Sequence, residues 1–296
     1  MSVLRVGTRG SELALRQTAW VIERLRAAYP SLDVELVTVK THGDVAIDSG
    51  FDQSWPVGAF VSALEQALLH RRIDVAVHSY KDLQTMPTEG LVVAAVPVRE
   101  AVHDVLLTNG PSRLDELPAG ARIGTGSPRR AAQIQRLGDF EVVPIRGNVP
   151  TRIAKLQADG IDGVILAAAG LRRLGIEHPG TIDLPPDSFV PAPGQGALAV
   201  QVRADSPAAE RVVVLDDAAT RNAVTAERSF LKETNAGCHV AAGALAVVDR
   251  GTVSLHARLF SDDHSRDVDG EESGTDSEAV GITLARRLLD RLRQLG

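Results

Sequence analysis

The sequence contains a single cysteine, Cys238, in 296 residues. A lone thiol cannot form an intrachain disulfide, and cysteines and histidines do not cluster at zinc-ligand spacing. No stretch approaches the roughly 18 uninterrupted apolar residues that a membrane-spanning helix needs. These shortages argue against a disulfide scaffold, a metal site and a membrane protein.

Basic residues are outnumbered, since 32 Lys and Arg stand against 38 Asp and Glu for a net charge of −6. Proteins that bind nucleic acid by neutralising phosphates usually carry excess positive charge, so we expect no nucleic-acid partner. The first residues run into a strand-like pattern and lack the charged and apolar regions of a signal peptide. We therefore expect a cytoplasmic protein.

Short β-branched runs alternate with longer amphipathic segments over the first 260 residues, which predicts an α/β fold. The expected strands lie at 3–7, 33–40, 73–79, 91–97, 104–108, 121–125, 141–146, 162–167 and 197–203. Residues 11–29 predict a helix with Ser11 as its N-cap. Its expected apolar stripe consists of Leu15, Ala19, Ile22, Leu25 and Tyr29.

Two short patterns occur twice in the chain. Residues 5–11 (RVGTRGS) are echoed by 122–127 (RIGTGS), and residues 73–77 (IDVAV) by 161–165 (IDGVI). Two related α/β lobes that face a common cleft would explain the echoes, although strand-to-helix turns can also resemble one another by chance.

The last 80 residues predict a third, smaller α/β domain. Helices are expected at 222–235 and 277–295, and a hairpin at 243–261. Between them, residues 261–278 hold eight acidic residues against one arginine. Such a run of charge is typical of a solvated loop or an edge strand.

Three strand-to-helix junctions combine arginines with small polar residues, at 8–11, 125–130 and 146–152. Helix N-termini, hydroxyl groups and guanidinium groups all bind anions, so together the junctions predict a site for a polyanionic small ligand. Ordinary capping with solvent-facing arginines is the alternative. Walker A, GxGxxG, HExxH and GxSxG patterns are absent, so nucleotide-binding, zinc-hydrolase and serine-esterase functions have no motif in their favour.

Three further features are candidates for function. Lys81 and Asp82 follow the predicted strand at 73–79, and strand ends in open α/β sheets are where ligands bind, although polar surface residues are common there too. Cys238 lies among small residues, where the thiol is either reactive or simply buried. Residues 191–197 combine proline and glycine as either an interdomain hinge or a rigid loop.

These blocks, in this order, strongly resemble the porphobilinogen deaminase (hydroxymethylbilane synthase) family of tetrapyrrole biosynthesis. The matching stretches are residues 7–17, 41–44, 78–82, 124–130, 146–152, 167–175, 193–196, 226–228 and 237–238. Each block is weak by itself, whereas the joint match from residue 5 to about 245 is very specific.

The resemblance implies two lobes of the type II periplasmic-binding-protein kind and a small α/β C-terminal domain. The expected bounds are 1–97 with 196–215, then 98–195, and finally 216–296. The implied reaction condenses four porphobilinogen molecules into linear hydroxymethylbilane with release of ammonia. It is carried out by a transferase that forms C–C bonds, on a dipyrromethane cofactor that Cys238 holds as a thioether. The family also implies a monomer.

The resemblance assigns roles residue by residue. Asp82 is the expected catalytic residue, stabilising the azafulvene cation that deamination leaves. The expected cofactor-binding residues, besides Cys238, are Lys81, Ser127, Arg129, Arg130, Arg146 and Gly147. The expected substrate-binding residues are Arg9, Ser11, Phe60, Arg152, Arg173 and Gln195.

Three positions depart from the family pattern. The loop at residues 54–59 lacks the usual lysine, His42 stands where Arg or Lys is common, and His239 stands where Gln is common. We expect them to affect rate or pH response and to leave the reaction unchanged. The alternative functions are a non-catalytic two-lobed protein that binds small anions and a degenerate family member without turnover.

Overall fold

A computed structural model of the chain describes residues 3–39, 59–158, 160–234 and 241–295. The chain divides into two compact units, residues 1–99 with 197–221 and residues 100–196 with 222–296. The first unit is called the first lobe below. Residues 100–196 are called the second lobe, and residues 222–295 the C-terminal part of the second unit.

In chain order, the described elements before residue 144 are β1 (Leu4–Thr8), α1 (Glu12–Ala28), β2 (Val34–Thr38), α2 (Ala59–Leu69), β3 (Val75–Ser79), β4 (Leu91–Ala95), β5 (Asp104–Thr108), β6 (Ala121–Gly124), α3 (Pro128–Ile134) and β7 (Phe140–Val143). They are followed by α4 (Val149–Ala158), β8 (Gly163–Ala167), α5 (Ala168–Leu174), β9 (Thr181–Leu184), β10 (Leu198–Arg203), α6 (Ala208–Val212), α7 (Ala218–Glu233), β11 (Ala242–Asp249), β12 (Thr252–Phe260), β13 (Asp267–Gly274) and α8 (Ser277–Gln294). Short 3₁₀ helices cover Tyr80–Asp82, Leu114–Glu116 and Val213–Leu215.

The first lobe is built on a five-stranded sheet of order β2-β1-β3-β10-β4. β1 runs parallel to β2 and β3, whereas β10 runs antiparallel to β3 and β4. α1 packs on this sheet, but its buried face consists of Gln17, Thr18, Val21, Ile22 and Leu25. The predicted stripe was therefore only partly right: Leu15 and Ala19 are half-buried and Tyr29 is exposed, because the helix also buries two polar side chains that an apolar pattern does not include.

The second lobe repeats this arrangement with a sheet of order β7-β6-β8-β5-β9, in which β5 is the antiparallel strand. The repeated sequence patterns lie at matching places. Asp74 accepts a hydrogen bond from the backbone N–H of Arg5 at 3.0 Å, and Asp162 accepts one from that of Arg122 at 2.7 Å. The prediction of two related α/β lobes is confirmed by the common strand order.

The C-terminal part contains the three-stranded sheet β11-β12-β13 with α7 and α8 packed against it. Residues 267–274 of the acidic run form the edge strand β13, one of the two forms predicted for the run. Arginines of α8 reach it: Arg287 contacts Glu272 at 2.9 Å, and Arg291 donates to the carbonyl of Asp269 at 2.7 Å. Charge of both signs along this edge disfavours pairing with another strand.

The predicted α/β class is confirmed: two lobes, each on a five-stranded mixed sheet of the same strand order, and a small α/β C-terminal part. The likeness of the lobes to type II periplasmic binding proteins stays a prediction. Each predicted strand is present, with ends that differ by up to three residues, and β9 was not predicted. The division of the second unit into two domains at residue 216 stays a prediction. None of the described helices is long and apolar enough to cross a bilayer.

Candidate active site

In the first lobe, the sheet register brings two of the predicted segments to the same edge. β1 and β3 are parallel, with Val6 opposite Val75 and Gly7 opposite Ala76, so both chains leave the sheet on one side. The amide of Gln17 on α1 exchanges hydrogen bonds with the Ser79 hydroxyl at 3.0 and 3.2 Å. α1 is thereby held against the end of β3, where the next turn begins.

That turn carries the predicted catalytic carboxylate. Lys81 and Asp82 lie on the 3₁₀ helix Tyr80–Asp82, where Asp82 is exposed and Lys81 half-buried. Across the same edge, Arg9 is half-buried and the Ser11 hydroxyl accepts the Ala14 N–H at 3.4 Å, capping α1. The first lobe thus presents a carboxylate, two cations and a helix N-terminus at one edge of its sheet.

His78 lies in β3, and it is buried. Its Nε2 is 3.0 Å from the Gln201 side-chain oxygen, while the Gln201 amide nitrogen donates to Glu65 at 3.0 Å. The carboxylate fixes the orientation of the Gln201 amide, so Nε2 of His78 carries the proton. Burial lowers the pKa of His78 to about 4, the Gln201 hydrogen bond opposes this, and the positive charge of Arg9 lowers the pKa further. The imidazole is therefore neutral near pH 7.

In the second lobe, the junction at 125–130 forms a buried ion cluster. Ser127 caps α3 by accepting the Arg130 N–H at 3.4 Å. Arg129 and Arg130 each donate one Nη2 to Asp104, both at 2.7 Å. The remaining Nη1 groups donate to backbone carbonyls, Arg129 to Val190 at 2.7 Å and Arg130 to Ile165 at 2.9 Å. Asp104 is completely buried and both arginines are nearly so.

The cluster of Arg129, Arg130 and Asp104 contains two positive charges and one negative charge. Within the described residues, Asp104 is the one carboxylate that pairs with either arginine. Burial lowers the pKa of Arg129, Asp104 opposes this, and the positive charge of Arg130 adds to the lowering. Nε of Arg130 is buried without a hydrogen-bond partner in this part of the chain. A carboxylate of a ligand would satisfy both the charge and the donor, so the residues fit an anionic pyrrole cofactor.

The third junction arranges a tight turn before α4. Gly147 has a φ of 119°, and a Cβ there would lie 2.7 Å from Cγ2 of Thr151, so the position requires glycine. Asn148 accepts the N–H and hydroxyl of Thr151 at 2.9 and 2.7 Å. Arg146 is exposed, and half-buried Arg152 donates its Nε to the Gly147 carbonyl at 2.8 Å.

Residues 193–196 are held by the side chains predicted to bind substrate. Gln195 is completely buried and donates its Nε2 to the Val102 carbonyl at 2.7 Å and to Asp104 at 3.0 Å. Arg173 donates to the Gly196 carbonyl at 2.8 Å. Burial lowers the pKa of Arg173 to about 10, against the opposing effect of Glu100. Contact of Gln195 or Arg173 with substrate stays a prediction.

Two further residues organise the site, and sequence reasoning gave them no role. Asp104 is the centre of the arginine cluster; the only signal was an aspartate beginning an otherwise apolar strand. Glu227 on α7 is completely buried, and it accepts the N–H of Gly194 at 2.7 Å and that of Ala246 at 2.9 Å. It therefore joins the 193–196 loop to the C-terminal sheet.

Several predicted positions lie outside the described residues: Cys238 and His239, residues 41–44 with His42, and the loop at 54–58. The backbone of Phe60 belongs to α2, and its side chain is outside the description. Ala241, the first described residue after Cys238, packs against Phe260 and Ala132, and Ala132 lies on α3 two residues after Arg130.

Comparison with known proteins covers nearly the whole chain. Residues 4–211 match the family model "Porphobilinogen deaminase, dipyromethane cofactor binding domain", and residues 222–290 match "Porphobilinogen deaminase, C-terminal domain". Porphobilinogen deaminase of Desulforudis audaxviator is 46% identical over 96% of this chain and 94% of its own length. That of Carboxydothermus hydrogenoformans is 43% identical over 97% and 93%. Among solved structures, the methionine binding protein MetQ aligns with 72% of this chain and 89% of its own at 15% identity and a TM-score of 0.45. On the two family models and these relatives, the chain belongs to the porphobilinogen deaminase family.

Proposed function

We propose that this chain is a porphobilinogen deaminase, or hydroxymethylbilane synthase. It joins four porphobilinogen molecules into a linear tetrapyrrole and releases one ammonia for each. The observation that carries the proposal is the buried Arg129–Arg130 pair, which shares one carboxylate and retains an unpartnered Nε, within the region that matches the cofactor-binding model. We further propose that the protein is cytoplasmic and monomeric.

The cofactor in this proposal is a dipyrromethane attached to Cys238. When bound, it supplies the pyrrole end to which substrate is joined. Arg129 and Arg130 neutralise its carboxylates in the second lobe, and Ser127 presents the N-terminus of α3 with its N–H groups. Lys81, Arg146 and Gly147 complete the set of cofactor-binding residues.

Asp82 acts on the substrate in the first lobe. Loss of ammonia leaves a cation on the pyrrole, and a carboxylate stabilises that positive charge and accepts pyrrole N–H groups. Asp82 suits this role because it is exposed at the end of β3, on a turn that the Gln17–Ser79 hydrogen bonds hold in place. Asp82 is the last residue of the 3₁₀ helix Tyr80–Asp82, which directly follows β3.

The other arginines receive the carboxylates of substrate and product. Each porphobilinogen brings an acetate and a propionate, so the chain gains two negative charges at every step. Arg9 and Ser11 bind them in the first lobe, and Arg152 in the second, with Phe60 at the start of α2. Arg173 and Gln195 contribute through the 193–196 loop that they hold.

Intact-protein mass spectrometry tests the proposal directly. Protein from a host that makes porphobilinogen is expected to carry an adduct of two pyrrole units, and Cys238→Ala is expected to lack it. An unmodified wild-type chain would contradict the cofactor assignment and would favour a protein that only binds small anions.

Intact-protein mass spectrometry also tests the arginines that are proposed to bind the growing product. Replacing Arg146 or Arg152 by leucine is expected to leave intermediates of defined length on the protein, because one carboxylate-binding contact is missing at a particular stage. Arg113→Leu is the control, since Arg113 is exposed and pairs with its neighbour Asp115 at 2.6 Å. A ladder of intermediates unchanged in both Arg146→Leu and Arg152→Leu would refute these assignments.

A further inference from the structure

The chain passes between the two units three times, after residues 99, 196 and 221. Inside the second unit, the segments next to the first two of these boundaries are hydrogen-bonded to each other, and they are called the crossing segments. The Gly196 carbonyl accepts the Glu100 N–H at 3.0 Å, and Gln195 donates to the Val102 carbonyl at 2.7 Å. Gly196 has a φ of 83°, and a Cβ there would lie 2.3 Å from the Glu100 carbonyl oxygen, so the segments approach too closely for any other residue.

Gln195 also touches the charged cluster. Its Nε2 lies 3.0 Å from Oδ1 of Asp104, the same oxygen that receives Nη2 of Arg130 at 2.7 Å. The other oxygen of Asp104 receives Arg129. The amide therefore helps to hold the carboxylate that both arginines share, from a position where it is itself completely buried.

The neutrality of this amide has an electrostatic consequence. A glutamate has nearly the same shape, but it would add a second negative charge next to the carboxylate that both arginines share, since Nε2 of Gln195 lies 3.0 Å from Oδ1 of Asp104. Charges interact strongly in a buried, weakly polar environment, so the second carboxylate would compensate the second guanidinium. A fully compensated pair would have little attraction left for the carboxylate of a ligand.

We propose that Gln195 is a positioning residue that sets the charge balance of the anion site: it holds Asp104 at the crossing segments without adding charge, which leaves one arginine's charge for a carboxylate of the dipyrromethane cofactor. The inference rests on the proposed function, and it assigns to Gln195 the role of a hydrogen-bonding side chain that carries no charge.

The test compares variants of the same size and different charge. Apoprotein from a host that lacks porphobilinogen is incubated with porphobilinogen, and the rate of adduct formation is followed by intact mass. Gln195→Glu is expected to load at least about ten-fold more slowly than wild type, the size of one charge-assisted hydrogen bond. Gln195→Met loses the same hydrogen bonds and adds no charge, so it is expected to load at least about three-fold faster than Gln195→Glu.

A charge-swap variant separates charge from structure. Asp104→Asn combined with Gln195→Glu has the charge of the wild-type cluster, so it is expected to load faster than either single variant. Urea unfolding of each apoprotein shows which variants fold. Should Gln195→Glu fail to fold, a swap variant that folds and loads supports the inference, and one that loads no faster than Asp104→Asn overturns it.

Equal loading rates of Gln195→Glu and Gln195→Met, fast or slow, would also overturn the inference, since charge would then be irrelevant. Failure of the proposed function looks different: wild-type apoprotein would form no adduct with porphobilinogen.

Discussion

The two lobes share a strand order and a helix cap but bury different chemistry at matching positions. Ser11 caps the helix that follows β1, and Ser127 caps the helix that follows the matching strand β6, both at 3.4 Å. Two and three residues after the cap, the first lobe has Leu13 and Ala14, whereas the second lobe has Arg129 and Arg130. The strand that enters each sheet from the other unit begins with Leu198 in the first lobe and with Asp104 in the second.

The difference is reversed after β3 in the first lobe and after the matching strand β8 in the second. There the first lobe has Tyr80, Lys81 and Asp82, and the second lobe has Ala168, Ala169 and Gly170. One lobe therefore has an exposed carboxylate at this place, and the other has a buried pair of cations. A common fold supplies the positions, and the side chains at those positions decide the function.

The largest expected effect comes from replacing Asp104 by leucine, the residue that begins the matching strand β10 of the first lobe. Asp104→Leu leaves Arg129 and Arg130 buried without their carboxylate, so we expect the free energy of unfolding to fall by about 3–5 kcal/mol. The measurement is urea unfolding. Asp183→Asn is the control, because Asp183 lies on the neighbouring strand β9 and its side chain is 75% exposed; we expect a change below about 0.5 kcal/mol.

The comparison becomes sharper when the whole cluster is exchanged. Adding Arg129→Leu and Arg130→Ala to Asp104→Leu removes every buried charge of the cluster and is expected to recover most of the lost stability. This apolar variant should fold and yet fail to acquire the cofactor adduct. A triple variant that is as unstable as Asp104→Leu, or one that loads normally, would contradict this account.

The next effect concerns the carboxylate of the first lobe. Asp82→Asn is expected to keep the adduct and to lower kcat by about 10²–10³-fold, because an amide does not stabilise a developing cation as a carboxylate does. Asp115→Asn is a matched control, since Asp115 is also exposed on a 3₁₀ helix. Steady-state kinetics decides the point: a wild-type rate in Asp82→Asn would refute its catalytic role.

The lobes are also expected to differ in their response to acid. His78 has a pKa of about 4 in the fold, below the ordinary value of 6.5. The unfolded chain therefore binds a proton first as pH falls, and up to about 3 kcal/mol of stability is lost between pH 6.5 and pH 4. The matching position in the second lobe is the buried Leu166, which does not titrate.

Two measurements check this expectation. In His78→Gln, the free energy of unfolding should fall less between pH 7.5 and pH 4.5 than in wild type, whereas exposed His70→Gln should behave as wild type. Hydrogen exchange at pH 5 should increase in β3 and β10 before it does in β5 and β8. The same acid sensitivity in both lobes would show that another group is responsible.

The smallest effect tests what the lobes have in common. Ser11→Ala and Ser127→Ala each remove an N-cap and should each cost about 1 kcal/mol of stability, whereas glycine at either position should cost only a few tenths. Thermal unfolding of the Cys238→Ala apoprotein measures this without a contribution from the cofactor. A much larger loss at Ser127 than at Ser11 would show that the two caps are not equivalent.

Sequence patterns predicted the elements well and the buried polar groups poorly. Alternation of β-branched runs located the strands, since burial of both sheet faces requires continuous apolar segments. The short β9 was missed. The buried face of α1 differs from the predicted apolar stripe because Gln17 is buried through its hydrogen bonds with Ser79, 62 residues away. An apolar pattern cannot predict a partner so distant in the chain.

The arginines of the candidate site were predicted, whereas their grouping was not. In the sequence, the three junctions look the same, since each combines a helix N-terminus with basic residues. In the structure Arg129 and Arg130 are buried on Asp104, Arg146 is exposed, and Arg152 binds the carbonyl of its own loop. The difference depends on which strand ends lie beside each junction, which is a property of the sheet order.

By itself, the sequence determined the α/β class, the two related lobes, the family resemblance and the residue types of the site, because these follow from local periodicity and from short motifs in order. The tertiary structure decided which charges are buried together. Asp104, Gln195 and Glu227 are far apart in the chain, and only the folded sheets bring them to the arginine pair and the 193–196 loop. Their roles depend on burial, which strengthens each charge interaction and is set by the packing of the whole unit.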